Sequence, residues 1–219
     1  MSKFIDLSHT IEAGMITYKG LPAPVICDFL SREKSRDFYE AGTEFQIGKI
    51  EMVTNTGTYL DCPFHRYAHG HDLSEILPEQ FADLAGITIR HDLSQGLAID
   101  VAAFTRQDVR GRAVLVHTDW ARHWRTDQYF EDHPFLTADA AAYLVEQGAT
   151  LVGIDSHNID DTRGRTRPVH TTLLGANILI VEHLCNLDQL PNNGFTFSAI
   201  PPKVKGAGTF PVRALAKLK

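Results

Sequence analysis

The run Ile178-Leu179-Ile180-Val181 constrains this chain most, because it is continuously apolar, short and free of alternation. Such a segment marks a strand buried on both faces, whereas a half-exposed strand would alternate. Glu182 follows directly and would emerge at the strand's carboxyl end, where open sheets commonly place ligands. Other candidate strands are Phe4–Leu7, Val25–Phe29, Ala113–Val116, Thr150–Ile154 and Val212–Leu215. Phe45–Val53 alternates and reads as a half-buried strand. Helices are few. The clearest has Thr137 as N-cap, runs over Ala138–Gln147 and stops at Gly148. A second is expected from Pro78 to Leu84 with Gly86 after it, and a short one around Phe104–Val109. This order mixes hairpins with crossovers and predicts an α/β fold with a strand-rich core.

The chain has 219 residues and 43% hydrophobic content, enough for one core, and residues 1–219 read as a single domain. A net charge of −6 argues against a nucleic-acid partner. No apolar run approaches the roughly 18 residues of a membrane span, and the N-terminus lacks a signal-peptide pattern. Cys27, Cys62 and Cys185 have no CxxC spacing, which fits reduced thiols in a cytoplasmic protein. These features leave a small-molecule substrate as the expected partner.

Chemistry concentrates in Thr54-Asn55-Thr56-Gly57-Thr58-Tyr59-Leu60-Asp61-Cys62-Pro63-Phe64-His65. Gly57 permits a tight turn and Pro63 fixes φ just before His65, so the side chains between them are held in a set geometry. Histidines at positions 55 and 59 together with Asp61 would make a strong metal cluster. Asn55 and Tyr59 stand there instead. Asn offers a carbonyl oxygen, and Tyr ligates only after losing a proton whose unperturbed pKa is about 10. Downstream, His170 and Glu182 could join Asp61 around one divalent ion.

The chain resembles the cyclase-like metal-dependent hydrolases, which include bacterial kynurenine formamidase and isatin hydrolase. The resemblance runs from Ile5-Asp6-Leu7-Ser8-His9-Thr10-Ile11 through the Gly57–His65 loop, Val152–Ser156 and His170–Leu187 to Pro211–Ala216. The family loop reads His-x-Gly-Thr-His-x-Asp-x-Pro-x-His. Gly57, Thr58, Asp61, Pro63 and His65 match it; Asn55 and Tyr59 replace its two metal-binding histidines. The resemblance implies a swivelling β/β/α architecture and a metal site at Asp61, His170 and Glu182, with His65 as general acid/base. It also implies a homodimer or homotetramer with pockets near subunit contacts. The ion, Zn or Mn, would be weakly held or absent because of the two replacements.

Three functions fit these residues. One is a hydrolase of a small amide, lactone or cyclic imide-like metabolite, in which Tyr59 and Asn55 donate hydrogen bonds to the developing oxyanion. Another is a metal-independent cyclase, dehydratase or isomerase using Tyr59, Asp61 and His65 for acid/base work. The third is a non-catalytic small-molecule binding protein. Elsewhere, Arg163-Gly-Arg165-Thr-Arg167 reads as a solvated loop or an anion clamp. His69 and His71 read as a polar loop near the pocket mouth, and Cys62 as a buried small side chain. Trp120 and Trp124 suit packing on a helix face, and Asp155-Ser156-His157 a strand-end turn.

Overall fold

The apolar run ending at Val181 lies inside a nine-stranded mixed sheet in the computed structural model, which describes residues 3–218. In chain order the first elements are β1 (Lys3–Asp6), β2 (Val25–Leu30), α1 (Arg32–Ser35), β3 (Ile47–Glu51), β4 (Tyr59–Asp61), β5 (Leu84–Arg90), β6 (Ala98–Ile99) and β7 (Ala113–His117). Then come β8 (Phe135–Leu136), α2 (Ala138–Glu146), β9 (Leu151–Ile154), α3 (Pro168–Gly175), β10 (Leu179–Glu182), β11 (Phe195–Ile200), β12 (Thr209–Pro211) and β13 (Arg213–Leu218). The sheet order is β1-β13-β11-β5-β7-β9-β10-β4-β12. Its centre, β5-β7-β9-β10, is parallel, and the flanking pairs are antiparallel. This is the strand-rich α/β fold expected, and no helix among the described residues is long and apolar enough to cross a membrane.

Both faces of the parallel centre are buried, as its apolar runs require. Val114, Val116, Val152, Ile154 and Ile180 pack with Ala140, Ala141 and Leu144 of α2 and Val169 and Leu173 of α3. On the opposite face, Leu115, Leu151 and Val181 share a cluster with Ile5, Leu60, Phe197 and Ala216 from strands near both ends of the sheet. Only a curled sheet brings those ends together, and a bridge between Ser8 and Leu184 ties one end towards the middle.

α2 follows its sequence signals closely. The Thr137 hydroxyl accepts from the Ala140 N–H at 3.1 Å, and Gly148 takes the left-handed φ of +77° just beyond the helix. The other two expected helices do not form. Pro78–Gln80 makes one 3-10 turn, and Leu84 already opens β5. Gly86 is a strand residue whose missing side chain matters, since a Cβ there would lie 2.1 Å from the Phe195 ring. Phe104 and Val109 are buried anchors of a turn-rich loop that follows the 3-10 segment Val101–Ala103.

Phe45–Val53 is not half-buried. β3 pairs only with β2, in a two-stranded arm outside the main sheet, and all five of its residues are exposed. The alternation there serves no core within this chain.

Candidate active site

Three adjacent strands build the site by simple register. Glu182 on β10 lies opposite Tyr59 on β4, and Thr209 on β12 lies opposite Asp61. Residues two apart on a strand, and residues directly opposite across a ladder, share a face. Tyr59, Asp61, Glu182 and Thr209 therefore converge, while Leu60 and Val181 point into the apolar cluster on the other side. Asp61 is thus a fully buried strand residue and not a loop residue.

His65 sits just beyond β4 on the 3-10 turn Pro63–His65. Its Nδ1 is 2.8 Å from the Thr209 hydroxyl, and that hydroxyl donates to Asp61 Oδ1. A hydroxyl has one hydrogen, and an ionised carboxylate can only accept. Thr209 therefore accepts from Nδ1–H, which leaves Nε2 of the neutral imidazole as a free base. The approach is close: a Cβ on Gly208 would lie 2.4 Å from the His65 backbone nitrogen, so this strand can run past His65 only with glycine there.

His170, on the first turn of α3, is fixed from behind. Asp160 accepts the Val169 and His170 backbone N–H groups at 2.7 and 3.0 Å and the His170 Nδ1 at 2.6 Å. The helix has no side-chain cap of its own, so Asp160 serves as one from outside. His170 Nε2 then points inward, 3.7 Å from Asp61 Oδ2 and 3.7 Å from Glu182 Oε1. Burial acts to lower its pKa, but the bond to Asp160 and the nearby carboxylates of Asp61 and Glu182 outweigh this and raise it to about 10.

The donor set fits a divalent ion. Asp61 Oδ2 is buried with no hydrogen-bond partner, and Asp61, His65 and His170 each offer a ligand atom within 4.8 Å of the others. A histidine whose far nitrogen is held by a carboxylate is a common arrangement behind a ligand. Glu182 flanks this trio with both oxygens engaged, Oε1 by the Ile159 N–H at 2.7 Å and Oε2 by the Tyr59 hydroxyl at 2.5 Å. Burial pushes its pKa up.

Tyr59 is fully buried, and burial together with the Glu182 charge holds its pKa well above the usual phenol value. It is a neutral donor committed to Glu182. Its oxygen lies 2.7 Å from the Tyr18 hydroxyl, which accepts from Asn158 Nδ2 at 3.0 Å. Asn55 lines the same cavity of about 340 Å³, with Tyr18, Leu21, Tyr59, His65 and Glu182. Its Oδ1 takes the Thr54 hydroxyl, and its Nδ2 hydrogens have no protein acceptor among the described residues. The structure thus gathers Asn55, Tyr59, His65, His170 and Glu182 around one cavity, with Asp61 buried beside His65 and His170.

Residues 5–161 match the family model described as "Putative cyclase". The chain belongs to this cyclase family. Kynurenine formamidase from Bacillus cereus is 27% identical over 216 residues, covering 99% of this chain and 98% of that protein. The enzyme of the same name from Bacillus anthracis is 27% identical over 218 residues, with the same coverage. A solved structure titled as a potential metal-dependent hydrolase with cyclase activity superimposes with a TM-score of 0.79 at 26% identity, over 100% of this chain and 99% of that one. Isatin hydrolase A from Labrenzia aggregata, at 24% identity and a TM-score of 0.81 over 99% of this chain and 94% of its own, shares the fold.

Within this cyclase-family site, sequence reasoning passed over Tyr18, Asp160, Asn158 and Thr209. Tyr18 lies in an irregular stretch, and Thr209 reaches Asp61 across 148 positions, so no local pattern signals either. Other candidates take structural places. Burial pushes the Cys62 thiol up to about 12, which makes it a poor nucleophile. Trp120 donates to the Tyr129 carbonyl and Trp124 stacks on His9 at 4.1 Å, although the segment is a 3-10 turn rather than a helix. Asp155 accepts from the Thr118 and Asp119 N–H groups and closes a bend after β9. His71 is exposed, and His69 lines a separate depression beside Leu174 and Gly175, away from the site.

Proposed function

We propose that this protein hydrolyses a small amide, lactone or cyclic imide-like substrate with a planar ring. The observation that carries the reading is the Thr209 bridge, which fixes His65 with a free Nε2 beside Asp61 and His170. Asp61, His170 and Glu182 would hold one divalent ion, Zn or Mn, leaving His65 free to move protons. Such an ion supplies Lewis acidity towards the scissile carbonyl and a water. His65 Nε2 takes the proton from the attacking water and returns it to the departing amine or alkoxide. Asn55 Nδ2, free of protein acceptors, donates to the developing oxyanion; Tyr59 orients Glu182, since its hydrogen is already spent there. The names of the kynurenine formamidase and isatin hydrolase relatives support this substrate class.

The test is hydrolysis of formanilide, an aryl lactone and isatin by chelator-stripped protein with and without added Mn²⁺ or Zn²⁺. Turnover that needs the ion and disappears in His65→Ala supports the reading, and no turnover of any of the three with either ion refutes it. The Tyr18-Tyr59-Glu182 hydrogen-bond chain favours a second reading, metal-free acid/base cyclisation or dehydration, which would leave activity unchanged by chelation.

The β2–β3 arm supports a homodimer or homotetramer. Val25, Ile26, Phe29, Ile47 and Ile50 are all exposed on it, and Ile26 lies directly opposite Ile50 on one face, an apolar pair that a second copy would cover. The three free cysteines accord with a cytoplasmic location.

A further inference from the structure

The cavity that opens outside His65 and His170 is lined by cationic side chains and by no acidic one. It encloses about 580 Å³ and is lined by His65, His170, Arg66, Arg165 and Arg167. Arg167 also lines the inner cavity that holds Tyr59 and Glu182, so it stands at the boundary between the two. Its side chain is anchored along one edge: Nη1 donates to the backbone carbonyls of Gly164 at 3.0 Å and Thr166 at 2.7 Å. Nε and Nη2 have no acceptor among the described residues. Those two donors form the edge of a guanidinium that matches a carboxylate in bidentate fashion. Arg165 is exposed and donates to no protein group among the described residues, whereas Arg163 is neutralised by Asp161 through bonds of 2.9 and 2.8 Å. An outer wall of free cations on a chain of net charge −6 is a local reversal of field.

We infer that Arg167, assisted by Arg165, selects substrates that carry a carboxylate, held at the outer wall while the scissile carbonyl faces Asp61, His65 and His170. This rests on the hydrolase reading and narrows it to N-acyl arylamines or N-acyl amino acids that bear an acid group on the same ring or chain as the cleaved bond.

Binding separates this proposal from turnover. Anthranilate and its neutral isostere anthranilamide are titrated calorimetrically into wild type, Arg167→Met, Arg167→Lys and Arg165→Met, each checked for an unchanged melting profile. Wild type should bind anthranilate at least about tenfold tighter than anthranilamide. Arg167→Met should bring the two within about threefold; Arg167→Lys, which keeps the charge and an anchor for the loop, should lose most of the preference because it lacks the fork. Arg165→Met should reduce the preference partially. Equal affinities in wild type, or a preference that persists in both Arg167 variants, would overturn the inference whatever the enzyme hydrolyses. An intact, Arg167-dependent preference with no cleavage of N-formylanthranilate or formanilide would uphold the carboxylate site and refute the hydrolase reading instead.

Discussion

Thr209→Val tests the site at its least expected joint. Valine is nearly isosteric, so packing at this buried position is kept and only the hydroxyl is lost. Asp61 Oδ1 then loses its donor. His65 Nδ1, at 3.7 Å, is too far to replace it, and Asp61 Oδ2 already has no partner in the chain. A buried carboxylate left without hydrogen bonds costs about 1–3 kcal/mol or more. For a chain of this size each kcal/mol moves the melting temperature by about 2–4 °C, so a loss of about 4–8 °C is expected for a 2 kcal/mol penalty. His65 meanwhile loses the acceptor that fixes its tautomer, and kcat should fall about 10–100-fold with KM little changed. Differential scanning calorimetry and steady-state kinetics on Thr209→Val and Thr209→Ser read both effects, with serine restoring most of each. A Thr209→Val protein that melts and turns over like wild type would show that the hydroxyl does not bridge Asp61 and His65.

Tyr59→Phe removes the hydrogen bond that lowers the Glu182 pKa, so the acid limb of the activity profile should move to higher pH and kcat should drop about 10–100-fold; an unmoved acid limb would refute the pairing. In the native protein iodoacetamide should label exposed Cys27 and spare Cys62 and Cys185, whose thiols burial pushes up to about 12. Peptide mass spectrometry reads this, and rapid native labelling of Cys62 would show that it is not sequestered. Ile50→Asp on the exposed arm should shift the sedimentation of the assembly towards the single chain, and a wild type that already sediments as a single chain would refute assembly through the arm.

The parts of the fold that could be read in sequence were those whose cause is local. Ile178–Val181 and Ala113–Val116 are strands because nothing but a two-sided interior suits them, and α2 ends where Thr137 and Gly148 say it must. The Gly57–His65 segment announced itself because Gly57, at φ +66°, permits the turn and Pro63 fixes the backbone around the polar groups. β4 is only Tyr59–Asp61, too short to display a period, so Asp61 looked like a loop residue. α3 carries Thr171-Thr172 in its middle and no cap of its own; what starts it is Asp160, which the chain brings back from another loop. The arm misled in the opposite direction, since β3 alternates as though facing a core that this chain does not supply.

The way charge is compensated around His170 leads to one more expectation. Asp160 is satisfied by two backbone N–H groups and His170 Nδ1, and Glu182 by Ile159 and Tyr59. The deficit therefore falls on Asp61 Oδ2, which faces His170 Nε2. In the metal-free protein a proton on Nε2 answers it, and the bond to Asp160 together with the Asp61 and Glu182 carboxylates raises the His170 pKa to about 10 against the pull of burial. A raised pKa contributes stability that is complete below the unfolded value of about 6.5 and is lost as pH climbs through about 10. A divalent ion must expel that proton to reach the nitrogen. Its binding should release about one proton per ion, and its affinity should rise about tenfold per pH unit between pH 6 and 8. Titration calorimetry of Mn²⁺ in buffers of different ionisation enthalpy measures the proton count directly. Binding that releases no proton, or an affinity flat across that range, would mean that His170 Nε2 is not a ligand and that the ion, if it binds, sits elsewhere.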